Sequence, residues 1–177
     1  MYIVRVETGE KMKRIEQIIL HCSDSLWGSA AEIRKWHLSN GWKDIGYHFV
    51  IGNGYSRPKF YVPGYNGSLE IGRYLDEDDK ISDQEIGAHT LGFNATSVGI
   101  CFIGKDKFTE QQFWQGKKLV EFLLTRYGMI PASVYGHYEK QSGRTCPNFD
   151  MNWFRGTLFR CEFEESFDLK KYWEKTS

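Results

Sequence analysis

EQIILHCS, residues 16–23, is a short apolar run with two adjacent isoleucines that closes on a histidine, a cysteine and a serine. Its length and β-branched content mark a buried strand that delivers His21 to its end. Similar runs return at IGYHFVIG (45–52) and SVGICFIG (97–104), each closed by glycine, and at SVYGH (133–137). Two helical patterns lie among them. SAAEIRKWHLSN (29–40) offers Ser29 as an N-cap and spaces Ile33, Trp36 and His37 for one face before Gly41. TEQQFWQGKKLVEFLLTRYG (109–128) carries Thr109 as a cap, an apolar stripe at Phe113, Leu119, Val120, Leu123 and Leu124, and Gly128 as a stop. Residues 53–75, rich in Gly, Asn and Pro, read as a hairpin or loops at the rim of a sheet. Strands alternating with helices predict an α/β sheet with helices packed on it.

At 177 residues the chain fits one domain, with no compositional break or linker to divide it. Lys plus Arg and Asp plus Glu number 23 each, so no net field steers the chain onto nucleic acid or an anionic membrane. Nucleic-acid binding is therefore not expected. The four cysteines (Cys22, Cys101, Cys146, Cys161) form no CxxC pair and read as reduced thiols. The first residues lack the pattern of a secretory signal, and no apolar stretch is long enough to cross a bilayer, which predicts a chain held in the cytoplasm as synthesised, without membrane insertion. Aromatics make up 16% of the chain, more than a core readily absorbs, so some are expected along a groove. Residues 151–177 mix Trp153, Phe154, Phe159, Phe163, Phe167 and Trp173 with acids and are expected to dock as helix and turn.

His21 and His137 stand at the ends of predicted strands, and Cys146 follows His137 after the polar loop of GHYEKQSGRTCPNFD (136–150). Two imidazoles and a thiolate form a tetrahedral zinc set with one position left for water. Two other readings stand beside it: each residue is a satisfied structural group, or Cys146 is a nucleophile with His137 as its base. The nucleophile reading leaves His21 without a task.

IILHCSDS, GWKDIGYHFVI, the pair Gly72–Arg73, IGAHTLGFNATSVGICFIG, FTEQQ, VYGHYEK and GRTCPNFD occur in an order that resembles the zinc-dependent N-acetylmuramoyl-L-alanine amidases. More narrowly, they resemble the type 2 family that includes phage lysozyme-like amidases and peptidoglycan recognition proteins. The resemblance covers residues 17–150 and leaves 151–177 as a C-terminal extension. It implies a mixed central β-sheet flanked by helices, one zinc ion in a groove, and hydrolysis of the amide between the lactyl group of N-acetylmuramic acid and L-alanine. The implied zinc ligands are His21, His137 and Cys146, the same three residues that ligand chemistry singles out. The implied catalytic tyrosine is Tyr47, which would orient or activate the attacking water. Arg144 stands where the family often has a lysine and would steady the oxyanion. His89 and Asn94 are implied contacts to the muropeptide, and Arg73 is a candidate rim cation for the acidic stem peptide or a surface ion-pair partner.

The implied partner is peptidoglycan or a muropeptide, with a monomer as the expected state. A phage or prophage lysis enzyme, released to the wall by a separate membrane-permeabilising protein, reconciles a cytoplasmic chain with a wall substrate. Muropeptide recycling and a non-catalytic peptidoglycan-binding module are the alternatives. Of the remaining candidates, His48 should face away from Tyr47 if both lie on a strand, and His37 reads as packing. Cys22 and Cys101 read as small buried hydrophobes. Glu139 is a fallback base beside Lys140, and the acid run 76–79 reads as a solvated loop.

Overall fold

In the computed structural model the described residues are 13–160; Cys161, Phe163, Phe167 and Trp173 lie outside them. The opening run forms strand β2 (Gln17–Cys22), buried along its whole length. A strand covered on both faces can carry a near-continuous apolar sequence. β2 is parallel to both neighbours, β6 (Ser97–Phe102) and β7 (Val134–Gly136). β3 (Phe49–Arg57) pairs in parallel with the other edge of β6, and β4 (Phe60–Ile71) runs antiparallel to β3. The result is a mixed five-stranded sheet of order β4-β3-β6-β2-β7. A second, two-stranded sheet pairs β1 (Lys13–Arg14) with β5 (Lys80–Ile81).

Alternation along β2 separates packing from chemistry. Ile18 and Leu20 join Phe49, Ile51, Ile100 and Phe102 in the core beneath α2 (Glu110–Tyr127), which contributes Leu119, Val120, Leu123 and Leu124. Each such fully buried side chain contributes roughly 1.5–3 kcal/mol over its exposed state. On the opposite face α1 (Ala30–Ser39) packs Ala30 and Ile33 with Ile45, Val50, Cys101 and Ile103. His21 falls out of the α2-side core and meets Tyr47, which packs against this second cluster. Both helices start where the capping residues predict: Ser29 accepts from the Glu32 N–H, and Thr109 forms a capping box with Gln112. α2 ends at Gly128 in the left-handed region, at φ 63°.

Three boundaries differ from the sequence expectations. The strand expected at 45–52 begins only at Phe49 and continues to Arg57. Residues 45–48 instead form a loop held by backbone bonds from Gly72 N to His48 O (2.9 Å) and from Arg73 N to Tyr47 O (2.7 Å). A Cβ on Gly72 would lie 2.3 Å from the Tyr47 carbonyl oxygen, so only glycine permits this approach. The Gly- and Asn-rich stretch closes as the long β3–β4 hairpin, with register shifts along the pair. His137 is the first residue of a short helix, α3 (His137–Lys140), because the strand ends at Gly136. Beyond it, Asp150 caps α4 (Met151–Thr157), which buries Met151 and Phe154.

Helix α2 crosses the sheet at Gly116, where an added Cβ would sit 2.4 Å from the Phe102 ring, itself fully buried. In an open helix Gly116→Ala would add about 1 kcal/mol of stability. Here overpacking against a ring that cannot move away reverses the sign, with a net loss expected at about 1–3 kcal/mol. A lower urea midpoint with unchanged m-value is the expected reading, and a raised midpoint would show that Phe102 yields.

Candidate metal centre

The end of β2 carries His21, and the adjacent parallel strand β7 leads straight into His137. The loop after α3 folds back so that Cys146 O accepts from the Tyr138 N–H at 3.0 Å. The ligand atoms of His21, His137 and Cys146 lie within 4.8 Å of one another. A tetrahedral zinc site spaces its nitrogen and sulfur donors roughly 3.4–3.6 Å apart, given bonds of about 2.0–2.3 Å. The donor set therefore fits zinc in chemistry and in proximity.

The electrostatics favour metal-binding forms of the imidazoles. Burial, reinforced by His89, His137 and Arg144, holds His21 well below its ordinary range. Burial also lowers His137, outweighing its bond to Gln141. Neutral imidazoles offer a lone pair, and the protein bonds indicate which nitrogen is free. His21 Nε2 lies 3.0 Å from His89 Nδ1, and His137 Nε2 lies 2.9 Å from Gln141 Oε1. Nδ1 remains the open nitrogen on both rings. At the third donor, the Cys22 backbone N–H donates to Cys146 Sγ at 2.9 Å. The neighbouring Cys22 thiol, with burial behind it, pushes the Cys146 thiol up. His21 lies in the same donor cluster, and pairing Cys146 with His137 as nucleophile and base would leave it without a task.

Tyr47 lies beside His21, ring centroids 5.0 Å apart. Burial pushes its phenol well up, which favours the neutral, hydrogen-bond-donating form in the metal-free site. Arg144 is exposed, and among the described residues it has no hydrogen-bond or ion-pair partner. Its charge still reaches the site, disfavouring protonation of His21 and His137 and favouring the ionised form of Tyr47.

The three residues expected to touch substrate each make bonds within the protein. His89 is buried against His21. Asn94 Oδ1 accepts from the backbone N–H groups of His89 and Thr90 at 2.9 and 2.8 Å. Both Nε and Nη2 of Arg73 donate to the Ile45 carbonyl, fastening the loop that carries Tyr47. Glu139 is held by the Gly136 N–H and a two-pronged Arg155 pair at 2.9 and 3.0 Å, which overcome burial and lower its pKa. It is a structural brace for α3 rather than a spare base. Lys140 lies over the Tyr135 and Phe93 rings, 3.3 and 5.0 Å from their centroids. His37 is part of the wall: its Nδ1 accepts from the Gly46 N–H, and its ring lies 4.3 Å from that of Trp42.

Sequence reasoning passed over Gln141, Thr90, Ser97 and the Cys22 backbone. Gln141 stands four residues after His137, a spacing at which helical side chains meet, so that signal was readable. The Cys22 N–H to Cys146 Sγ and Thr90 to His21 contacts cross the fold and leave no local mark.

Residues 11–149 match the N-acetylmuramoyl-L-alanine amidase family. The chain is 30% identical over 176 residues to the endolysin of Klebsiella phage KP32, covering 93% of this chain and 89% of that one. It is 31% identical over 152 residues to the endolysin of Enterobacteria phage K11, covering 80% and 85% of the two. Among solved structures, the N-acetylmuramoyl-L-alanine amidase LysC from Clostridium intestinale shares the fold with a TM-score of 0.64 at 23% identity, over 81% of this chain and 85% of that one.

The buried imidazoles also set a pH dependence. His48 Nδ1 accepts from the Gly99 N–H and its Nε2 donates to Glu85 O, and burial lowers it to about 4. A histidine depressed in the folded state contributes stability above its unfolded pKa of about 6.5 and loses it as pH falls through the folded value. For His48 alone the loss expected between about pH 6.5 and 4 is roughly 3 kcal/mol. Urea midpoints of the metal-free protein should fall across that window. His48→Gln should flatten the slope even where it lowers the plateau; an unchanged slope would mean that His48 titrates freely in the folded protein.

Proposed function

The chain belongs to the type 2 N-acetylmuramoyl-L-alanine amidase family, and from that premise we propose that it is a zinc-dependent endolysin whose metal is held by His21, His137 and Cys146. As a member it is a peptidoglycan hydrolase that cuts the amide between the lactyl group of N-acetylmuramic acid and L-alanine. The observation that carries the zinc reading is the convergence of two neutral imidazoles and one thiol at the buried end of β2 and β7. Zinc bound there would supply a Lewis acid for the lactyl carbonyl and a water of pKa about 7 as the nucleophile.

The protein groups divide the remaining work. Tyr47, kept neutral by burial, donates from its phenol to orient the reacting oxygen. Its placement depends on Arg73 and Gly72, which clamp the 45–48 loop, so these two act on catalysis through Tyr47. Arg144 brings an exposed positive charge to the rim and stabilises the negative oxygen that develops when the amide carbon becomes tetrahedral. Gln141 and the Cys22 N–H hold His137 and Cys146 in their ligating orientations.

The endolysin assignment rests on the phage relatives, which match along most of their length. In this reading the chain works as a monomer, accumulates in the cytoplasm and reaches the wall when another protein opens the membrane. No helix of the described residues is long and apolar enough to cross a membrane.

Metal analysis of protein purified without added zinc, paired with detection of new L-alanine amino termini from purified sacculi, tests the proposal. Expected are zinc in the protein, loss of activity with a chelator and recovery on adding zinc. His21→Ala should release the metal and abolish cleavage. Arg144→Ala should lower kcat by about 10²–10³-fold, as loss of an oxyanion donor does elsewhere. Arg144→Lys should keep most of the rate, and Tyr47→Phe should cost on the order of 10²-fold in kcat. Full activity in metal-free protein would overturn the zinc reading. Cleavage confined to small soluble muropeptides, with intact sacculi untouched, would replace lysis by recycling.

A further inference from the structure

His89 lies outside the donor set but touches it. Its side chain is almost wholly buried, and the fold makes room for its ring. A Cβ on Gly99 or on Gly87 would come within 2.6 Å of the imidazole, and Asn94 holds the backbone N–H groups of both His89 and Thr90. A ring seated between two glycines and sealed from solvent is poorly placed to grip a muropeptide in an open groove.

Its hydrogen bonds run in one direction. Ser97 Oγ donates to the Phe93 carbonyl at 2.7 Å, so its proton is already used. Toward His89 Nε2, 3.4 Å away, the same oxygen can only accept. His89 therefore carries its proton on Nε2. With its one proton on Nε2, a neutral ring leaves Nδ1 bare as an acceptor. That bare nitrogen faces His21 Nε2 at 3.0 Å. The donor across this contact must be His21 Nε2–H, and a neutral His21 then has its lone pair on Nδ1. Thr90 Oγ1 lies 3.1 Å from His89 Nδ1 and 3.4 Å from His21 Nε2, closing a triangle over the shared proton.

We infer that His89 is a positioning residue that, through the chain Ser97–His89–His21, fixes the His21 tautomer and ring orientation needed for Nδ1 to bind the metal. The inference rests on the zinc reading above and adds to it the reason that His21 presents the correct nitrogen. Without the bond the His21 ring is free to rotate or to carry its proton on Nδ1, and either state withdraws a ligand.

Two experiments test it. In the native protein, with and without zinc, nitrogen-15 NMR of the imidazoles should find the proton of both His21 and His89 on Nε2; a proton on His89 Nδ1 overturns the inference with no mutation made. In His89→Leu, shown to be folded by circular dichroism and thermal unfolding, zinc affinity measured by competition with a chromophoric chelator should fall about 10–100-fold. His89→Gln, which restores a carbonyl acceptor, should recover part of that loss. Zinc affinity equal to the native value in folded His89→Leu overturns the inference, and so does a rise in KM alone, the signature of a residue that touches only substrate. Absence of zinc binding in the native protein would instead overturn the metal reading itself. Should His89→Leu fail to fold, the NMR result on native protein decides.

Discussion

Parallel pairing of β2 with β6 and β7 is the constraint on which the rest of the structure depends. The register sets His21 opposite Cys101 and Leu20 opposite both Ile100 and Gly136. Since Gly136 is the last residue of β7, His137 necessarily follows at the level of His21. A slip of one residue would turn every side chain of β2 to the other face, sending His21 into the α2-side core and Leu20 toward the ligands. The apolar pattern that buries Ile18 and Leu20 under α2 thus also protects the chemistry on the opposite side.

A cluster of buried histidines would be costly if any had to be charged. The protein avoids that cost by keeping them neutral and giving their nitrogens specific partners. His48 ties the start of β3 to β6 and to the loop at Glu85, His37 receives the Gly46 N–H, and His89 bridges Ser97 and His21. One network therefore does two tasks. It stitches the loops around the sheet edge, and it holds His21 with a nitrogen available. Glycines at 72, 87 and 99 are part of the same construction, because backbone or ring atoms occupy the space that their side chains would need.

The sequence was most readable where local physics decides the outcome. β2, β6, α1 and α2 were legible from apolar runs and caps, since burial and capping act within a few residues of the signal. The strand boundary at 45–49 was not, because IGYH is apolar enough to pass for strand in the sequence yet is bound by Gly72 and Arg73 from another part of the chain. Arg73, His89 and Asn94 show the same limit in the site. The resemblance implied substrate contacts for His89 and Asn94, and Arg73 was a candidate rim cation; in the fold they bond to His21, the 89–90 backbone and Ile45. A polar side chain announces that it needs a partner but not whether that partner is solvent, ligand or its own protein.

By itself the sequence determined the alternation of strands and helices and the three residues able to hold a metal, because residue chemistry and short-range periodicity are written along the chain, and the order of its motif blocks carried the resemblance to the family. Only the tertiary structure decided how those ligands are supported: which imidazole nitrogen is bonded to protein, that the partly buried Tyr47 phenol is pushed up, and that Glu139 braces a helix. The bond between His21 and His89 joins residues 68 apart in the chain, and desolvation has no value until the chain has closed around the group.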